Sequence, residues 1–253
     1  KGVKSGRCKE TTLLFNSLGW SRKHWLKVGL KWREVSVPGS GYRILYDGDA
    51  ATDVEVDGRT GSLRASKRKL ENENLAVRFE ADGSIGSIYD KRSGREVLRD
   101  GEAGNELRVY DDKGDAWDFP MDYRISKAER FKLVSSKAFV DGPRAVLRQE
   151  YKFNKSSLRQ DIILEAGEAM VRFESELDWR ESEIMLRTSF PLAVNSELAR
   201  CEIQYGHIGR PTTGNTSWDW SKMEVCAHKW ADISQADYGV GLLNDYKYGY
   251  CVL

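Results

Sequence analysis

The sequence predicts an all-β protein, mainly one large antiparallel sandwich. Three observations carry this: apolar side chains alternating with period two, Asp-Gly dipeptides at short intervals, and almost no helical repeat. Leu75, Val77 and Phe79 alternate with small or polar residues, as do Leu147, Tyr151 and Phe153, then Leu158, Ile162 and Leu164, then Val171, Phe173 and Leu177. Successive side chains of a strand point to opposite sides of a sheet, so each set marks a half-buried strand. Asp47-Gly48, Asp57-Gly58, Asp82-Gly83, Asp100-Gly101 and Asp141-Gly142 supply the positive φ that tight reversals require. Strands at this density with almost no intervening helix favour a sandwich or barrel over a parallel sheet.

Along the chain, Leu13-Leu14-Phe15 and the stretch from Trp25 to Val37 predict a small β segment over residues 1–61. Residues 62–74 are charged and polar, and read as a connector. From 75 to 253 the strands continue as one large sandwich, without an internal repeat. The first residue is Lys1, and Tyr250 to Leu253 read like the middle of a strand, as expected of a fragment.

A chain of 253 residues can bury a substantial core. With 40 basic and 39 acidic residues its net charge is +1, which gives no long-range field to gather nucleic acid or an anionic membrane. Neither is expected as a partner. The basic run Lys67-Arg68-Lys69 lies beside Glu71 and Glu73 and reads as solvated. Cys8, Cys201, Cys226 and Cys251 form neither a C-x-x-C pair nor a disulfide framework, which favours a reducing compartment. No apolar run is long enough to span a bilayer. The triplets at Asn154 and Asn215 are too common by chance to imply glycosylation.

Eight tryptophans and eleven tyrosines suit sugar binding, in which aromatic rings stack on C–H faces and polar groups read hydroxyls. Trp218-Asp219-Trp220 follows Asn215-Thr216-Ser217, and Asp115-Ala116-Trp117-Asp118 forms a second aromatic-acid cluster. These tryptophans could equally plug the ends of a core. A third cluster, Asn244 to Tyr250, follows the apolar strand Val240-Gly241-Leu242-Leu243, where a plain hairpin with solvated charges is the competing interpretation. His24, His207 and His228 lack metal-ligand spacing; His207 sits at an abrupt strand-to-loop transition, as a structural histidine or a sugar contact. There is no nucleophile elbow, phosphate loop, zinc-protease helix or dinucleotide turn.

More specific are several ordered strings: Phe190-Pro191-Leu192-Ala193-Val194-Asn195, Tyr205-Gly206-His207-Ile208 with Arg210-Pro211, Asn215-Thr216-Ser217-Trp218-Asp219, Ala227-His228-Lys229-Trp230-Ala231-Asp232, and Tyr238-Gly239-Val240 leading to Leu243-Asn244-Asp245-Tyr246-Lys247-Tyr248-Gly249-Tyr250. In this order they closely resemble the carboxyl-terminal region of family 38 glycoside hydrolases, the α-mannosidases. Leu70-Glu71-Asn72-Glu73 and Gly83 to Lys91 look like the opening of that family's sandwich. Leu14 to Trp20, with Pro38, Gly41 and Tyr42, is similar to the small β segment that joins its catalytic domain to the sandwich.

The resemblance implies a galactose-mutarotase-like supersandwich whose closing strands continue past the position of Leu253. It implies a retaining exo-glycosidase, with a divalent metal (zinc or similar), an aspartate nucleophile and an acid all in an N-terminal barrel outside this sequence. By position, Trp117 falls where the family places an aromatic ring near the sugar, and Arg210 near an active-site arginine. Asp118, His207, Trp218 and Asp245 join them as pocket candidates because they neighbour matched loops. The Asn244-Asp245 and Lys247-Tyr248-Gly249-Tyr250 variant looks most like the cytosolic and bacterial branch, hence a cytoplasmic location. The expected partners are the chain's own N-terminal catalytic domain and a mannoside or glycan, with homo-oligomerisation open, and no activity is expected of this part alone. Two alternatives remain open: an autonomous sugar-binding module using Trp117, Trp218 and Trp220, and a mutarotase-like epimerase using histidine.

Overall fold

Strand β1 (Thr11–Asn16) opens the chain's computed structural model, which describes residues 11–28, 31–46, 63–114, 123–124, 128–220, 222 and 224–252. The described residues are nearly all strands, paired antiparallel throughout, as the alternation predicted. They fall into two units that interleave in sequence. One takes residues up to 74 with 135–150 and 159–176; the other takes 75–134, 151–158 and 177 onward.

In the first unit, β2 (Arg22–Val28) and β3 (Lys31–Val37) form a hairpin, and β4 (Gly41–Tyr46) returns to pair with β1. Val35, Val37 and Leu45 are the buried centre of a small core, against which Leu14, Leu26 and Val28 pack. The buried Asn16 side chain donates to the carbonyls of Trp20 at 2.8 Å and Pro38 at 3.0 Å, and accepts from the Leu18 amide at 3.2 Å. One amide therefore holds the turn after β1 against the end of β3. Gly39 is required there, since a Cβ would lie 2.6 Å from the backbone of Gly19.

Residues 62–74, expected as a connector, carry the hairpin of β5 (Arg64–Ser66) and β6 (Lys69–Glu71). Ser66 Oγ accepts the Lys69 amide at 3.0 Å, closing a turn that polar composition alone concealed. Leu70 is fully buried, and so is Asn72, whose amide donates to the carbonyls of Glu165 at 2.7 Å and Glu168 at 2.8 Å.

The second unit begins with the meander β7 (Leu75–Phe79), β8 (Ile85–Asp90) and β9 (Arg95–Glu96). Leu75, Val77 and Phe79 are buried as their period demands, and Gly83 takes φ 91° in the turn. Strand β10 (Glu106–Asp111) lies between β11 (Glu129–Arg130) and a later strand. Four strands then form one meander in sequence order: β12 (Lys132–Asp141), β13 (Arg144–Phe153), β14 (Ser156–Glu165) and β15 (Val171–Asp178). Their residues are shared between the two units. Strand β16 (Ile184–Ser189) returns to β10, and Leu107, Val109, Phe131, Tyr151, Phe153 and Leu158 form a core there.

The chain continues through β17 (Leu198–Ile203), β18 (Gly206–Pro211), the short helix α1 (Ser217–Trp220), β19 (Glu224–Cys226), β20 (Trp230–Ser234), β21 (Gly239–Leu243) and β22 (Gly249–Cys251). Their sheet runs in the order β18-β17-β20-β21, with β19 and β22 as a separate pair. No helix among the described residues is long and apolar enough to cross a membrane.

Candidate functional site

The nominated residues that the structure describes all belong to the last part of the second unit. The register of its four-stranded sheet sorts them. Glu202 pairs with His207, Ala199 with Arg210, Arg200 with Asp232, and Trp230 with Leu243. Alternation then places Arg200, Glu202, His207, Trp230 and Asp232 on one face, and Ala199, Cys201, Ile208, Arg210 and Ala231 on the other.

The His207 face is polar and aromatic. The exposed His207 ring lies 6.2 Å from the half-buried Trp230 ring, centroid to centroid. Glu202 accepts the Lys229 amide at 2.6 Å, fixing the approach to Trp230, and Arg200 pairs with Asp232 at 3.5 Å. The opposite face is closed over Ala199, Cys201 and Ala231, which are buried. Arg210 is half-buried there, and its Nε is enclosed with no hydrogen-bond partner. Burial pushes the Cys201 thiol up, with the Arg210 guanidinium pulling the other way. An enclosed cationic donor left without a partner costs about 1–3 kcal/mol.

Trp218 stands on α1, 75% exposed. Thr216 caps that helix: its hydroxyl accepts the Asp219 amide at 3.1 Å and donates to the Asp219 carboxylate at 2.7 Å. Asp219 is thereby committed to the cap while Trp218 faces solvent. Asp245 is exposed in a turn held by Asn244, whose amide carbonyl accepts the Tyr246 amide at 2.9 Å and whose own amide reaches the Tyr250 hydroxyl. His228 meets Tyr248 edge-on at 5.9 Å. Trp117 and Asp118 lie outside the described residues, as does the Trp220 side chain.

A second polar centre escaped sequence reasoning. Glu224, on β19, accepts the Tyr123 hydroxyl at 2.7 Å, Arg124 at 3.1 Å and Arg187 at 2.9 Å, and Arg124 also reaches the Cys251 sulfur. Burial, together with the Glu224 carboxylate, pushes the Tyr123 hydroxyl up to about 12, although its hydrogen bond from Arg124 acts the other way. These residues come from four distant stretches of chain, so no spacing could have announced them.

Among the described residues, no three His, Cys, Asp or Glu side chains converge into a metal set. The divalent ion implied by the family resemblance therefore finds no matching donor group among the described residues of this chain.

The described residues thus form antiparallel β sheets with exposed aromatic side chains in several loops. The sequence model of the glycosyl hydrolases family 38 C-terminal domain matches residues 70–252, and the chain belongs to that family. It is 38% identical to α-mannosidase 2C1 of Mus musculus over 260 aligned residues, covering 94% of this chain and 24% of the mouse protein. It is 34% identical to α-mannosidase G of Dictyostelium discoideum, covering 89% of this chain and 22% of that one. The fold is similar to the crystal structure of an α-mannosidase from Enterococcus faecalis V583, with TM-score 0.65 at 13% identity, over 99% of this chain and 34% of that one. The chain thus spans less than a quarter of the length of the curated relatives it matches.

Proposed function

We propose that this chain is the carboxyl-terminal portion of a retaining, cytoplasmic α-mannosidase acting on terminal α-mannosidic bonds. In this reading it packs on a catalytic portion outside these residues and completes its sugar cleft. The observation that carries it is the likeness to the mouse enzyme, 38% identical along 94% of the chain yet covering only 24% of that enzyme. The nucleophile, the acid and the divalent ion then belong to the remainder, where the ion would grip hydroxyls of the terminal sugar. What this chain contributes is binding and orientation. Arg210 is half-buried, so the part of its side chain that remains accessible supports a contact to an oxygen acceptor of the sugar or of the catalytic portion.

The test is hydrolysis of a nitrophenyl α-mannoside. The chain alone should give no turnover; joined in the aligned order behind the amino-terminal polypeptide of mouse α-mannosidase 2C1, it should give turnover that the amino-terminal polypeptide alone lacks. Metal-dependent turnover by the isolated chain would place a catalytic site inside it and overturn the reading.

A second reading, direct sugar binding by the chain alone, is favoured by the outward His207 and Trp230 rings. A tryptophan fluorescence titration with mannosides that saturates, and is lost in Trp230→Ala, would support it.

A further inference from the structure

The most prominent unassigned surface lies far from the nominated loops in sequence, on the sheet of β1 and β4. Its register pairs Thr11 with Tyr46, Leu13 with Ile44 and Phe15 with Tyr42. These residues share one face, and their apolar members are all exposed: Leu13 63%, Phe15 72%, Tyr42 63%, Ile44 38% and Tyr46 46%. The other face carries Leu14 and Leu45 into the small core. A two-stranded ribbon that is apolar on both sides is not what solvent selects, because an exposed ribbon keeps one polar face. The surface is also held in shape, since Asn16 and the close approach of Gly39 to Gly19 fix the turn at one end of the ribbon. Leu18 and Trp20, in that turn, are exposed as well.

We infer that this outward face of β1 and β4 is the seat of the amino-terminal polypeptide of the α-mannosidase, a protein–protein interface within one longer chain. Two facts choose that occupant over a second copy. The family's carboxyl-terminal domain begins its match at residue 70, so the ribbon precedes that domain in the sequence. The mouse relative is also matched along only 24% of its length, which leaves a large polypeptide without an assigned docking surface. The inference rests on the proposed function and adds to it which surface bears the catalytic portion.

The experiment is carbene labelling of the free chain and of the hybrid with the mouse amino-terminal polypeptide, read at Phe15, Tyr42 and Ile44, with Tyr246 as an exposed control. The three face residues should be protected at least about five-fold in the hybrid, as expected of a water-excluding interface core, with Tyr246 unchanged. Equal labelling in an active hybrid would overturn this inference and leave the proposed function standing. Protection in an inactive hybrid would do the reverse. Should the hybrid not fold, the same labelling on intact mouse α-mannosidase 2C1, read at the residues aligned with Tyr42 and Ile44, decides: solvent-labelled side chains there overturn the inference. In the free chain, Phe15→Glu with Ile44→Glu should move the melting temperature by no more than about 2 °C, because both side chains are already exposed. Sedimentation of the free chain should give a monomer; a dimer dispersed by the double substitution would assign the face to a second copy and overturn the proposal.

Discussion

His207 and Arg210, three positions apart on β18, lie on opposite faces of the same sheet: His207 beside Trp230, Arg210 over Cys201 and Ala199. One short motif therefore serves two surfaces, and their roles separate by substitution. In the hybrid enzyme, Arg210→Met should lower mannosidase activity by about ten-fold or more, the loss expected of a charge-assisted contact. In the free chain the same change should leave the melting temperature level or raised, because it removes an enclosed donor that has no partner. A clear fall in melting temperature would mean that the donor is satisfied in the free protein.

The turn at Asp141-Gly142 is docked under Trp32. The indole donates to Asp141 at 3.0 Å, Arg144 lies 4.7 Å above the same ring, and a Cβ on Gly142 would meet that ring at 2.1 Å. With φ at +57°, Gly142→Ala meets both strain and a steric clash. Denaturant unfolding should show a loss of about 2 kcal/mol or more, accompanied by a shift in tryptophan emission.

Asn72 should be equally costly to lose. Its buried amide serves the Glu165 and Glu168 carbonyls, so Asn72→Leu strands two acceptors and should destabilise by about 2–3 kcal/mol, read by thermal melting.

Alkaline and acid limbs of stability have different owners. Tyr123 is pushed up to about 12 by burial, so its stabilising contribution is complete below the ordinary tyrosine value near 10 and is lost as pH rises from there toward about 12. Burial raises Tyr151 as well, so Tyr123→Phe should flatten the alkaline fall without abolishing it. Asp141 is held below its usual value by hydrogen bonds from Lys27 and Trp32. Its contribution is present above the unfolded value of 3.8 and disappears as pH falls through the depressed one, so Asp141→Asn should lessen the acid dependence below about pH 4. Melting curves across both limbs check the two assignments.

The parts of the fold legible in the sequence were those governed by neighbouring residues. Leu75, Val77 and Phe79 announced a half-buried strand, and Gly83 and Gly142 announced their turns, because alternation and positive φ are local properties. The hairpin at 64–71 was hidden by its charge, since Leu70 turns inward alone among polar neighbours, and the carbonyls that hold the following Asn72 lie far along the chain at Glu165 and Glu168. The Glu224 centre was invisible for the same reason: Tyr123, Arg124 and Arg187 reach it only through tertiary pairing. Of the pocket candidates, His207 and Arg210 share a motif read in the sequence as a strand-to-loop transition, whereas Gly206–Pro211 is strand β18; which side each takes follows from the register with β17.

Because β12 to β15 thread both units, residues 135–150 and 159–176 belong with the segment before Leu75 rather than with their sequence neighbours. A genetic cut at any single point between Leu75 and Glu176 would leave both products with an incomplete unit. A swap between relatives that keeps each unit whole would therefore have to exchange that stretch as one cassette.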